Sequence, residues 1–203
     1  MRQKTLSIEQ IVLCGMFAAL VATGAFIKIS IPVQPFPMHF TLQFFFVLLA
    51  AFVLGGKLGS ASVLAYLVIG LVGVPVFAAG GGAGSLGRPP LERRGGPAYL
   101  VRPTFGFLLG FAGAAYTTGT LSERLHRHTF LNLLAAAFAG MMVMYLSGML
   151  YFYFISNYVI SMPVTWGIVL VNCFLLTVGG DFLLCVLASA LAVRLLPILQ
   201  KIR

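Results

Sequence analysis

Charge is what this chain has least of. Of its 203 residues only 8% are Asp, Glu, Lys or Arg, against about 25% in a soluble domain. Four residues are acidic, and Asp181 is the single aspartate. An intramembrane aspartyl protease needs a carboxylate pair, so that chemistry is excluded. Cysteine is also scarce. Cys14, Cys173 and Cys185 each sit in an apolar run with no CxxC and no Cys/His cluster, so they read as small helix-packing residues. His39, His126 and His128 do not form a ligand set, and no metal is expected. The glycines lack the lysine–serine ending of a phosphate loop and no GxGxxG precedes a soluble helix, which argues against a nucleotide site. With no catalytic pair, the chain does not read as an enzyme, and no cofactor is expected.

What is present is hydrophobicity, at 60% of residues with a mean hydropathy of +1.03. The expectation is an all-α integral membrane protein forming one domain over residues 1–203. The net charge of +9 is not read as nucleic-acid binding, because the bases lie at segment ends, where topology signals lie. Arg2, Lys4 and Glu9 precede an apolar run without a small-residue cleavage site, so the first helix is expected to be retained.

A span needs about 20 apolar residues. Candidates are Ile8–Ile29, Phe40–Leu54, Leu58–Phe77, Thr104–Leu121 and Phe130–Ile155, with a glycine-rich connection from Ala78 to Pro103. The last apolar block, Val164–Leu196, would be about 50 Å long as one helix, more than the roughly 30 Å hydrocarbon core. Gly179-Gly180 is the natural break, giving a short piece and then a sixth helix starting near Asp181. A bundle of six transmembrane helices follows, with a partly inserted outer loop between the third and fourth. Arg2, Lys4, Lys57, Arg124, Arg127, Arg194, Lys201 and Arg203 then share one side, opposite Lys28, Arg88, Arg93, Arg94 and Arg102. The positive-inside rule places both termini in the cytoplasm.

In that topology the second, fourth and sixth helices start on the outer side, with Gln43, Arg102 and Asp181 near their starts. Helix N-termini carry partial positive charge and unpaired N–H groups, so an outward pocket there suits a small polar acid. Asp181 reads as an acceptor for N–H donors of a ligand; the plainer alternative is an N-cap after two glycines, and a third is an ion relay. Arg102 precedes Pro103, which orders it as extended. A guanidinium can grip a carboxylate in two-point fashion; the alternative is an arginine that snorkels to the interface. Tyr99 and Phe105 wall an apolar ring or belong to an interfacial belt. Gly81 and Gly82 belong to a loop able to approach a ligand closely. On the first helix Ala18 and Ala22 are small residues four apart, with Gly15 and Ala19 adjoining, a spacing that admits a close helix, from this bundle or from a partner.

FTLQFFFVLLAAFVLGGKLG, YLVIGLVGVPVFAAGGG, GGPAYLVRPTFGFLLGF and the late GGDFLL together resemble the BioY family over roughly residues 10–197. These are biotin-specific substrate-binding (S) components of energy-coupling-factor (ECF) transporters. The resemblance implies biotin as ligand, a transmembrane coupling protein and two ABC ATPases as partners, and a docking role for Ala18 and Ala22. It implies that Asp181 and Arg102 belong to the vitamin site, with Asp181 accepting from the ureido group, Arg102 holding the carboxylate and Tyr99 packing on the rings. The chain departs from the family at Leu184, where a lysine is usual, at Gly179, where a proline is usual, and at residues 85–94, SLGRPPLERR, an atypical insert. Two rivals remain open: an S component for another small vitamin or acid, and a proton-coupled carrier using Asp181. The carrier lacks the chain of ionisable groups and the inverted repeats it would need.

Overall fold

The structure is a computed structural model that describes residues 7–31, 38–78, 95–125 and 128–202. The glycine pair Gly81 and Gly82 and the 85–94 insert lie outside the described residues. The chain is mostly helical, in the order α1 (Ile8–Gly24), β1 (Lys28–Ile31), β2 (Met38–Thr41), α2 (Gln43–Val72), a 3-10 turn (Pro97–Val101), α3 (Phe105–Arg124), α4 (Phe130–Phe154), α5 (Trp166–Leu170) and α6 (Val178–Ile202). Three segments, Gln43–Val72, Phe130–Val159 and Trp166–Ile198, are long and apolar enough to cross a membrane. The protein is a membrane protein.

The start of α1 follows from its sequence. In Ser7-Ile8-Glu9-Gln10 the Ser7 hydroxyl accepts from the Gln10 N–H at 3.2 Å, and the Gln10 side chain accepts from the Ser7 N–H at 3.1 Å. This reciprocal box satisfies two donors that a helix start leaves open. The helix ends at Gly24, not at Ile29 as expected. Lys28–Ile31 instead pairs antiparallel with Met38–Thr41, Lys28 opposite Thr41 and Ser30 opposite His39. The sequence reading had no strands, although KISI and MHFT each alternate polar and apolar residues as a strand does; at four residues each, the period is too short to stand out beside the apolar runs around it.

The 30-residue α2 is not one rod. Gly55 interrupts it with φ 83° and ψ 177°, a left-handed conformation open chiefly to glycine. Gln43 and Tyr66 are 23 residues apart yet hydrogen-bond at 2.6 Å; along a straight helix they would be about 35 Å apart. The two arms, 43–54 and 56–72, therefore fold back on each other. The expected division near Leu54–Leu58 is present, made by a single glycine. Glu123 of α3 accepts from the Gly56 N–H at 3.2 Å, at the start of the second arm.

Helix α2 packs on α1, α3 and α6, and α4 packs on α3 and α6. Small residues let these backbones meet. A Cβ on Gly119 would collide with the backbone of Gly55 and Gly56, and one on Gly59 would lie 3.0 Å from the Cα of Ala51. Helix α1 is pinned to the second arm by the Ser62 hydroxyl, which donates to the Cys14 carbonyl at 2.7 Å. Between α4 and α5, Asn157 donates to the carbonyls of Tyr153 and Val164 and accepts from the Val164 N–H, and Trp166 stacks on Tyr153 with centroids 4.3 Å apart. The break in the last apolar block falls at Leu176–Thr177, after a wide-turned stretch, Val171–Leu175. Gly179, Gly180 and Asp181 are thus inside α6, and the break lies earlier than the glycines suggested.

Gly119→Ala should overpack the α2–α3 crossing and destabilise the fold by roughly 1–3 kcal/mol. Gly15→Ala, whose added carbon meets nothing within 4 Å, should change stability by no more than about 1 kcal/mol. Thermal unfolding in detergent compares the two, and equal shifts would contradict the close crossing.

Candidate functional site

Asp181 is buried, with its backbone N–H bonded to the Thr177 carbonyl at 3.0 Å. That is an ordinary i to i−4 helix bond, so Asp181 lies in the first turn of α6 and is not its N-cap. Its carboxylate is held from α4, where the Tyr145 hydroxyl donates to Oδ2 at 2.5 Å. The same hydroxyl lies 2.9 Å from the Thr177 hydroxyl, which donates back to the Cys173 carbonyl at 2.8 Å. A carboxylate here combines a charge-assisted hydrogen bond with the positive end of a helix.

A second buried cluster lies at the start of α2. Gln43, the first residue of the helix, donates through Nε2 to the Tyr66 hydroxyl, which donates to the Val76 carbonyl at 3.3 Å. The Thr41 hydroxyl donates to Gln43 Oε1 at 3.3 Å. Each member supplies what the next lacks, as buried polar groups require.

These clusters share one cavity, about 650 Å³ when its open mouth is counted. Polar positions on its wall include His39, Thr41, Gln43, Tyr99, Thr104, Tyr145, Thr177 and Asp181; Phe40, Phe44, Phe107, Leu108, Phe111 and Met144 supply apolar surface. Among the described lining residues Asp181 is the one acid and His39 the one base. Burial lowers the His39 pKa from its ordinary value, and the nearby cations Lys28 and Arg102 lower it further. Phe40 ties β2 to α6, since a Cβ on Gly180 would meet its ring.

The structure brings Asp181, Gln43 and Tyr99 together on this wall. Tyr99 is fixed by its hydroxyl, which donates to the Ala78 carbonyl at 2.8 Å, and by Phe77 and Phe105 at 4.5 and 6.1 Å between centroids. Phe105 is buried behind Tyr99 and is not on the wall. Arg102 is extended, as Pro103 predicts, with φ −79° and ψ 132°. Its guanidinium sits over the Tyr99 ring, 4.6 Å from the centroid, and is not itself part of the cavity wall. Ala18 is buried in the chain's own core, and Ala22 is half-buried against it. Leu184 is also in that core. Sequence reasoning missed His39, Tyr145 and Thr177. Tyr145 is a lone phenol in the apolar MMVMYLSGML, a signal in hindsight, but its partner is 36 residues away.

Tyr66→Phe would leave the buried Gln43 amide without its acceptor, a loss of about 1–3 kcal/mol. Thermal unfolding in detergent reads the cost, and an unshifted midpoint would mean that the amide is satisfied elsewhere.

A mostly helical membrane protein whose helices surround one cavity with a mixed polar and apolar lining is the class that these features define. The chain belongs to the BioY family, whose model matches residues 1–201. It is 38% identical over 202 residues to a probable biotin transporter BioY of Lysinibacillus sphaericus, covering 100% of this chain and 92% of that protein. It is 36% identical over 190 residues to the biotin transporter BioY of Thermotoga maritima, covering 92% and 95%. A solved structure of the S-component for biotin from an ECF-type ABC transporter shares the fold with a TM-score of 0.76 over 94% of each chain, at 21% identity.

Proposed function

We propose that this protein is the biotin-binding S component of an ECF-type ABC transporter and takes part in biotin uptake across the cytoplasmic membrane. The carrying observation is the buried Asp181 carboxylate, held by Tyr145 on the wall of a largely apolar cavity, in a chain of the BioY family. Biotin offers two ureido N–H donors, a thioether ring and a carboxylate. In this reading Asp181 accepts from the ureido group, Tyr99 and the phenylalanines of the wall pack on the rings, and Arg102 provides positive charge for the carboxylate. Gln43 shapes the wall. The protein makes and breaks no covalent bond. ATP hydrolysis belongs to two partner ATPases, joined through a transmembrane coupling protein.

The finer topology belongs to the same proposal. Counting the arms of α2 separately, the spans are α1, the two arms, α3, α4 and the α5–α6 block. Both termini are cytoplasmic, and the cavity opens outward. The coupling protein docks on α1. Ala18 faces inward, Ala22 is at the boundary, and Gly15 and Ala19 beside them are exposed, leaving a small-residue surface for a second helix.

Labelled-biotin binding to purified protein tests the site. Asp181→Ala and Arg102→Ala should each weaken binding by roughly tenfold or more, the size of a lost charged hydrogen bond. Undiminished binding in both would refute the assignment. Ala19→Leu should leave biotin binding intact while reducing ATP-dependent uptake and co-purification of the coupling protein; full uptake would remove α1 from the docking surface. A second reading, an S component for another small acid, draws on Leu184, an apolar core residue where the family's lysine would stand. A competition panel of vitamins separates the two, since a better competitor than biotin would favour the second.

A further inference from the structure

The cavity has one acidic and one basic group among its described lining residues, and they come from different elements. Asp181 belongs to α6 and is bonded to Tyr145 of α4. His39 belongs to β2, on the wall itself, with Lys28 of β1 and Arg102 before α3 both close enough to act on its charge. The strand register supports this grouping: Lys28 lies opposite Thr41 and Ser30 opposite His39, with the Ile29–Phe40 pair between, so Lys28 and His39 stand two pairs apart on one face of the hairpin. Arg102, meanwhile, is laid over the Tyr99 ring rather than on the wall. Three basic side chains thus converge on the hairpin side of the site, and the one that reaches the lining is His39.

We propose that His39 directly contacts the carboxylate of the ligand, with Lys28 and Arg102 reinforcing it through their charge. The proposal rests on the biotin reading above and adds a specificity residue to it. It has a consequence that a fixed cation would not have. Before ligand binds, burial and the two cations hold the His39 pKa below its ordinary value; an anion seated beside it favours the protonated form. The His39 pKa is therefore higher with ligand than without, so binding takes up a proton and tightens as pH falls. Asp181 from α6, with Tyr99 and Tyr145, also faces the cavity, so the carboxylate end must be isolated from the ureido end.

The experiment compares biotin with biotin methyl ester, which keeps the rings and ureido group but lacks the charge. Binding to the purified full chain in detergent is measured from about pH 5.5 to about 8.5, where an alkanoic carboxylate with a pKa of about 4.3 stays ionised. Wild-type protein should prefer biotin to the ester, increasingly so toward low pH. His39→Gln should lose roughly 10–100-fold in biotin affinity at low pH, the scale of a charged hydrogen bond, with ester binding unchanged. His39→Lys should recover the preference without its pH dependence. Intact ester binding also shows that the variants are folded. If wild type and His39→Gln share the same preference and pH profile, or if His39→Gln weakens both ligands equally, the inference is overturned while the biotin reading stands. Wild-type protein that binds neither ligand would overturn both.

Discussion

A carboxylate buried among apolar helices, on the wall of the cavity, constrains everything around it. An aspartate at a membrane helix centre costs about 2.5–3.5 kcal/mol on insertion scales. The Tyr145 hydrogen bond returns about 1.5–3 kcal/mol, and the first turn of α6 adds about 0.3–1 kcal/mol through the helix dipole. The two sides nearly balance, so Asp181 is tolerated only where both contributions hold. That requirement places α6 beside α4 with Tyr145 facing Asp181, and it sets the interruption at Leu176–Thr177 just before α6. Thr177 serves both demands, lying beside the Tyr145 hydroxyl and bonding back to Cys173.

The Gln43 cluster solves the same problem at the start of α2. Buried polar side chains need partners, and hydrocarbon offers none. Thr41, Gln43, Tyr66 and the Val76 carbonyl form a closed sequence of bonds that joins β2, both arms of α2 and the segment that follows. The cavity lies between these two satisfied clusters. Its polar wall comes from these two clusters, and its apolar wall from Phe44, Phe107 and Phe111 on the flanking helices.

Much of this was legible in the residues. Low charge and long apolar runs specify a helical membrane protein. The single aspartate, the arginine before a proline and a glutamine at a helix start mark polar positions too costly to be incidental. Asp181, Gln43 and Tyr99 do meet on one wall. What was not legible depends on contacts between distant segments. The Tyr145–Asp181 bond spans 36 residues and has no local pattern. The β1–β2 hairpin replaces the expected end of the first helix; KISI and MHFT alternate as strands do, but over only four residues each. The break in the last block was assigned to Gly179-Gly180 on conformational freedom, yet both glycines are helical. Phe40 packs where a Gly180 side chain would stand, so close approach, not a turn, explains that glycine. Arg102 was placed correctly at the mouth of α3, but its position over Tyr99 follows from packing that no sequence pattern encodes.

The reversal at Gly55 leaves the two arms of α2 without a loop between them. A length change in a loop is absorbed by slack; here there is none. Removing one residue between Gln43 and Gly55 would rotate everything before it by about 100° relative to the second arm. Gln43 would swing away from Tyr66, and the entrance to α2 would lose its buried partner. The stretch from 43 to 66 therefore behaves as a fixed gauge, in which side chains can be exchanged but spacing cannot.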